Sequence, residues 1–213
     1  MELYSRYVFP YAMDRLLSGP RFDEQRRLTL APARGKVLEI GFGTGLNFPH
    51  YPRQAVCVTA IDDRRMRTGL VNRRIATAGL PIATAYRDAS EELPFADSIF
   101  DTVVTTWTLC SIQHAVSALR EIRRVLKQDG VYLFLEHGCS DDPKVAHRQN
   151  LLGPIVQRIG SGCQMNRRID ALILLAGLKI VTLHRYRMAG VPLGLGEMYR
   201  GVAVAASTPP ADR

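Results

Sequence analysis

The junction at Ile40/Gly41 constrains this chain most. Lys36-Val37-Leu38-Glu39-Ile40 is an apolar run of strand length, and it passes directly into Gly41-Phe42-Gly43-Thr44-Gly45. Glycines at alternate positions let a strand-to-helix turn close tightly, with backbone N–H groups free to point at a ligand. Four more short apolar runs follow, Val56 to Ile61, Ile82 to Tyr86, Phe100 to Thr106 and Val131 to Glu136. All five read as strands buried on both faces, as in a parallel sheet. Helical patterns lie between them: Arg64 to Ala78 before the Gly79-Leu80-Pro81 stop, and Ala115 to Lys127 before Asp129-Gly130. Strand and helix alternating at this spacing means βαβ units.

The flanks differ from this centre. Leu3 to Leu17, ended by Ser18-Gly19-Pro20, and Arg21 to Leu30, ended by Ala31-Pro32, read as two short helices forming an N-terminal helical cap over residues 1–30. Residues 144–160 look helical with an interruption at Gly153-Pro154, and Asn166 to Ala176 reads as a helix stopped by Gly177. Leu178 to Tyr186 and Met198 to Ala206 read as strands joined by the Gly190 to Gly196 loop, able to pair as an antiparallel hairpin. The expected fold is α/β, a seven-stranded, mostly parallel sheet with an antiparallel last strand and helices on both faces. It occupies residues 31–207, followed by a flexible tail at 208–213.

A length of 213 residues suits one such domain. No uninterrupted apolar stretch is long enough to span a bilayer. Glu2, Arg6, Asp14 and Arg15 break up any signal-peptide core at the start, which points to the cytoplasm. Cys57, Cys110, Cys139 and Cys163 are spaced 53, 29 and 24 residues apart, with no C-x-x-C pair, so reduced thiols and no metal are expected. The net charge of +8 invites an anionic partner. Yet Arg64, Arg65, Arg67, Arg73 and Arg74, and then Arg120, Arg123, Arg124 and Lys127, alternate with apolar positions on helices, the pattern of a solvated face. Aromatics do not interleave with these runs and no added RNA-binding domain is visible, so no obligatory nucleic-acid partner is expected.

In Glu39-x-Gly-x-Gly-x-Gly the third glycine comes one residue early for a dinucleotide fingerprint, and an acidic residue stands two positions before the first glycine. This resembles motif I of the class I S-adenosylmethionine-dependent methyltransferases. The resemblance implies S-adenosyl-L-methionine as cofactor and S-adenosyl-L-homocysteine as product. It places Gly41, Gly43 and Gly45 against the methionine and ribose, with Glu39 ordering the loop or its ligand. Thr44 and Asn47 in the same loop, and Thr106 at the end of the fourth strand, belong to the implied cofactor-contacting set. Asp62, at the end of the second strand, stands where a carboxylate can accept both ribose hydroxyls; Asp63 beside it suits a helix cap. Asp88-Ala89-Ser90-Glu91-Glu92-Leu93-Pro94-Phe95, leading to Ser98-Ile99-Phe100-Asp101, resembles the adenine-holding stretch of small-molecule methyltransferases. With one residue more than the commonest spacing, either Asp88-Ala89 or Ser90-Glu91 faces the adenine amine.

The acceptor should meet the residues beyond the fourth and fifth strands. Leu109-Cys110-Ser111, Glu136-His137, Gly162-Cys163 with Asn166-Arg167, and Tyr199-Arg200-Gly201 resemble the methyltransferase-like subfamily that includes thiol S-methyltransferases. Glu136, His137 and Cys110 are the catalytic candidates, with His137 orienting the acceptor or taking its proton. Trp107, Cys163, Asn166, Arg167 and Tyr199 are the substrate-side candidates. Each also has a plain reading: Cys110 as a small buried hydrophobe, Asn166 as a helix cap, Trp107 as core. No N-P-P-Y motif for a planar amine is present, which favours a small, soft acceptor such as a thiol or sulfide. A phospholipid or quinone-type methyltransferase is the alternative, with Tyr4, Tyr7, Phe9 and Tyr11 in peripheral membrane contact; an RNA-binding protein of the same fold is a third. Membrane-attached subfamily members carry an apolar N-terminal anchor that is not read in this sequence.

Overall fold

The computed structural model describes residues 9–63, 68–191 and 194–206. Seven strands form one sheet: β1 (Gly35–Ile40), β2 (Ala55–Asp62), β3 (Ile82–Tyr86), β4 (Phe100–Thr106), β5 (Leu126–His137), β6 (Leu178–Arg187) and β7 (Glu197–Ala205). Their spatial order is β3-β2-β1-β4-β5-β7-β6. β1 pairs parallel with both β2 and β4, β2 with β3, and β4 with β5, while β7 runs antiparallel between β5 and β6. The strand order therefore reverses direction between β1 and β4, where open α/β sheets bind ligands beyond the strands' carboxyl ends.

Burial follows the two-residue strand period. Leu38, Ile40, Val103, Tyr132 and Phe134 pack on one face of the sheet, and Val37, Val104 and Leu133 on the other. The first face is covered by α4 (Ala115–Val125) and α6 (Ile169–Leu175). On α4, Ala115, Ala118, Leu119, Ile122 and Val125 make the buried stripe. The second face is covered by Leu30 of α2 (Pro20–Leu30), Val71 of α3 (Thr68–Thr77) and Phe48 of a short 3-10 turn. The basic residues on α4 are partly internal ties: Arg124 pairs with Glu121 at 2.7 Å and Asp97 at 2.8 Å, and donates to the carbonyls of Phe95 and Leu93.

Three boundaries differ from the sequence reading. The helix expected to reach Lys127 stops at Val125, and β5 starts at Leu126 rather than Val131. Leu126 pairs with Phe100, and the register then shifts so that Thr102 meets Val131; Asp129-Gly130 forms an irregularity within the strand rather than a break before it. α5 (Pro143–Ile159) runs unbroken through Gly153-Pro154. α6 starts at Ile169, three residues after the expected Asn166, because Cys163 to Arg168 is a loop tied to its neighbours by Gln164, Arg167 and the carbonyl of Met165. Of the cap, α1 (Phe9–Leu17) and α2 are described; Tyr4 and Tyr7, the start of the Arg64 helix, and the 208–213 tail lie outside the described residues. No helix among the described residues is long and apolar enough to cross a membrane.

Candidate active site

The turn after β1 carries Gly41, Gly43 and Gly45 at φ of 77°, 52° and 83°, a region where a Cβ is strained. A Cβ on Gly41 would strike the Thr108 side chain and one on Gly45 the Phe48 ring, whereas no described residue lies within 4 Å of a Cβ on Gly43. Gly41 and Gly45 thus serve packing, and Gly43 fronts open space. Asp62, 7% exposed at the end of β2, accepts the Gly43 N–H at 2.8 Å. The residue expected to take ribose hydroxyls therefore also fixes the glycine turn. Asp63 beside it is exposed.

Glu39 is buried beneath the turn. Its two carboxylate oxygens accept from Asn47 Nδ2 at 3.0 Å and from the Tyr51 hydroxyl at 2.6 Å, and Asn47 also donates to Thr106 Oγ1 at 3.0 Å. Glu39 thus orders the loop from below. Burial pushes its pKa up to about 7 despite these hydrogen bonds. A carboxyl whose folded pKa lies above its ordinary 4.5 stabilises the fold most below pH 4.5 and loses that contribution as pH rises through about 7. Glu39→Gln should therefore flatten the stability profile between these limits. Urea unfolding at pH 5 and pH 8 should show wild type losing on the order of 3 kcal/mol more than the variant. Equal losses would mean that Glu39 does not hold its proton in the fold.

The cap reaches the same place. Asp14 on α1 accepts from Thr44 Oγ1 at 2.5 Å and Arg74 Nη1 at 2.6 Å, and Arg74 also donates to the Thr44 carbonyl at 2.8 Å. Burial opposes its charge, but Arg74 and Thr44 outweigh it and hold the Asp14 carboxyl below the usual range. Arg26 on α2 is 2% exposed, donates to the Leu17 carbonyl at 2.8 Å, and lies 4.9 Å from the centre of the Trp107 ring. Burial pushes its pKa down to about 10, with Asp23 and Glu39 opposing. Trp107, just past β4, holds φ of 50° and packs edge-on against Phe22; such backbone strain collects at functional sites. Asp14, Arg26, Arg74 and Tyr51 were missed in the sequence. α2 is polar almost throughout, and nothing in its pattern marks Arg26 as the buried arginine.

Asp88 is exposed and closes a local turn by accepting from the Ser90 N–H at 2.8 Å and Ser90 Oγ at 2.7 Å, leaving Ala89 buried and Glu91 exposed. Beyond β4 and β5 the fold gathers Cys110, His137 and Cys163: their ligating atoms all lie within 4.8 Å of one another, and His137 Nε2 is 3.0 Å from Cys163 Sγ. The hydrogen bond from Cys163, opposed by burial and aided by His137, holds the Cys110 thiol well below its ordinary range; Cys163 is correspondingly raised.

Four expected acceptor residues do other work. Glu136 does not pair with His137, because adjacent strand residues face opposite sides of the sheet. Its Oε2 instead accepts from the N–H groups of Thr108 at 2.8 Å and Leu109 at 3.1 Å, which makes it a positioning residue for the Cys110 loop. Arg167 donates to the Ile112 carbonyl at 2.6 Å and to that of Leu109. Asn166 is exposed and bonds Asn150 at 2.9 Å, and Arg168, not Asn166, takes the helix-cap position. Tyr199 is 1% exposed, with its hydroxyl donated to the Cys139 carbonyl at 2.6 Å and Arg185 stacked on its ring. Gln149, unnoticed in the sequence, ties this region together through the carbonyls of Gly138, Met165 and Gly194 and the N–H of Ser140.

The cofactor implied by the glycine turn fits these residues. Among the described residues nothing approaches a Cβ on Gly43, and Asn47 Oδ1 and Arg26 Nε are buried without hydrogen-bond partners. Residues 38–134 match the family model described as a methyltransferase domain. A thiol S-methyltransferase of Homo sapiens is 32% identical over 153 residues, covering 68% of this chain and 61% of that protein. A phosphatidylethanolamine N-methyltransferase of Cereibacter sphaeroides is 28% identical over 160 residues, covering 74% and 77%. The N-methyltransferase NodS of Bradyrhizobium japonicum, solved with S-adenosyl-L-homocysteine, superposes with a TM-score of 0.66 at 17% identity, covering 90% of each chain. The chain has the Rossmann-like fold of its methyltransferase neighbours, and residues 38–134 carry the match to the methyltransferase domain. It spans 54% to 61% of the length of the curated thiol methyltransferases it matches.

Proposed function

We propose that this chain transfers a methyl group from S-adenosyl-L-methionine to a small acceptor, a thiol or sulfide before any other. The observation that carries the reading is the gathering of Cys110, His137 and Cys163 beyond the carboxyl ends of β4 and β5, next to a glycine turn braced by Glu39 and Asp62. Likeness to thiol S-methyltransferases supports it.

When bound, the cofactor supplies an electrophilic methyl on a sulfonium. This chain's residues divide the remaining tasks. Asp62 and the Gly43 N–H set the position of the turn, and Glu39, Asn47 and Tyr51 hold it from below. Asp14, Thr44 and Arg74 clasp the cap to that turn, so that α1 and α2 keep water from the crevice. Trp107, backed by Phe22 and Arg26, offers an apolar wall. A thiol needs only partial deprotonation to react, so orientation by the polar cluster around His137 does most of the work.

His137→Ala should lower the rate of transfer to a thiol by about 100-fold and leave affinity for S-adenosyl-L-homocysteine within about twofold, since His137 touches neither the glycine turn nor Asp62. Steady-state kinetics with calorimetry checks both, and unaltered kinetics would take His137 out of the acceptor site. The direct test is a screen of thiols, amines, phenols and phospholipids, scored by S-adenosyl-L-homocysteine release. Turnover of thiols first supports the proposal; turnover confined to phospholipids transfers it to the second reading. That reading is favoured by likeness to the phosphatidylethanolamine N-methyltransferase and by Tyr11 and Leu16, exposed at 40% and 62% on α1. Flotation with anionic vesicles separates the two, because the thiol reading needs no membrane.

A further inference from the structure

The triad of Cys110, His137 and Cys163 has a composition that its acceptor role does not require. Two thiols and an imidazole, all buried, converge from three separate segments: the loop after β4, the end of β5, and the loop before α6. A buried histidine in a purely structural role has its ring nitrogens satisfied by firm hydrogen bonds. Here Nε2 faces a sulfur and Nδ1 is buried without a hydrogen-bond partner among the described residues. A cysteine pair serving only as small hydrophobes would not need to place both sulfurs against that ring.

The surrounding backbone is locked. Gln164 N–H donates to the Cys110 carbonyl at 2.8 Å, Arg167 holds the carbonyls of Leu109 and Ile112, and His137 sits in the β5–β7 ladder opposite Met198. Gln149 fixes the Gly138 and Met165 carbonyls on either flank. Such support keeps three ligands in place before an ion arrives. Soft thiolates with an imidazole select zinc or a similar thiophilic ion, and two thiolates neutralise a divalent cation, which burial demands. No fourth His, Cys, Asp or Glu joins the group among the described residues. Three protein ligands with one position open is the pattern of a reactive rather than a structural zinc site.

We propose that Cys110, His137 and Cys163 form an open three-ligand site for zinc, whose fourth position takes the acceptor's sulfur as a thiolate. The metal site stands on the geometry; the use of its fourth position rests on the thiol reading above. On binding, the acceptor thiol displaces metal-bound water, its S–H proton leaves to solvent, and its sulfur lone pair forms the bond to the metal.

Cobalt(II) tests this in the full chain, kept reduced and freed of metal by chelation. A sulfur-to-cobalt charge-transfer band should grow to saturation at one ion per chain and be bleached by zinc. It should vanish in the Cys110→Ser/Cys163→Ser double variant and persist in Cys57→Ser and Cys139→Ser. Each single substitution at Cys110 or Cys163 should weaken binding by about tenfold or more, and retained affinity for S-adenosyl-L-homocysteine certifies that the variant is folded. No band in wild type, or a band that survives the double substitution, overturns the site. A small thiol added without cofactor should shift the cobalt spectrum; an unchanged spectrum overturns the role given to the fourth position. Undiminished thiol methylation by metal-free protein overturns the role given to the fourth position and leaves the thiol reading standing. A thiol-shifted spectrum in a protein that methylates no thiol supports the site and overturns that reading instead.

Discussion

Gly43→Val should abolish cofactor binding, read by calorimetry as a loss of about 100-fold or more in affinity for S-adenosyl-L-homocysteine. Two effects combine. Gly43 holds φ of 52°, where a β-branched residue is strained by about 1–3 kcal/mol. The added side chain would also enter the open space above the turn, where a Cβ meets nothing within 4 Å. Because no described residue comes within 4 Å of that Cβ, the cost beyond the backbone strain should fall on binding more than on folding. Gly41 offers the contrast: a Cβ there strikes Thr108, so Gly41→Ala should cost folding stability as well. Near-normal affinity in Gly43→Val would mean that this turn is not the cofactor's cradle.

Asp62→Ala should weaken the same affinity by roughly 1.5–3 kcal/mol, about 10- to 150-fold, through loss of a charged acceptor for the ribose hydroxyls. The structure adds a second route to that loss. The Asp62 carboxylate accepts the Gly43 N–H, so its removal also loosens the turn. Asp62→Asn separates the two, because an amide oxygen can still accept from Gly43 while the charge is gone. An intermediate loss in Asn and the full loss in Ala is the expected pattern. Unchanged affinity in folded Asp62→Ala would refute the ribose assignment.

The glycine turn and the carboxylates that brace it were legible because their arrangement is local. A strand that runs straight into spaced glycines, with a carboxylate ending the next strand, needs only the βαβ pattern to be assembled. The strands were legible for the same reason, except where a register shift inside β5 turned Asp129-Gly130 from a stop into an irregularity. The acceptor half is tertiary. Cys110, His137 and Cys163 carry no short-range spacing signal, and their convergence depends on where two loops are pinned by Arg167, Gln164 and Gln149. Motif likeness named the segments that the fold brings together without showing which side chains turn inward. Hence Glu136 and Tyr199 were placed on the acceptor, while the structure turns the first to loop amides and the second to a backbone carbonyl. Arg26 shows the remaining gap: tertiary contacts, beneath Trp107 and to the Leu17 carbonyl, distinguish it from its exposed neighbour Arg27.

The measurement that bears most directly on this account is the fate of an isotopically labelled methyl group. The chain is incubated with methyl-labelled S-adenosyl-L-methionine and a small thiol, and the product is read by mass spectrometry. The label should appear on the thiol's sulfur with an equal amount of S-adenosyl-L-homocysteine released, and Gly43→Val and His137→Ala should both suppress it, the first through cofactor affinity and the second through rate. A label that never reaches sulfur, while amines or phospholipids acquire it, would contradict the account.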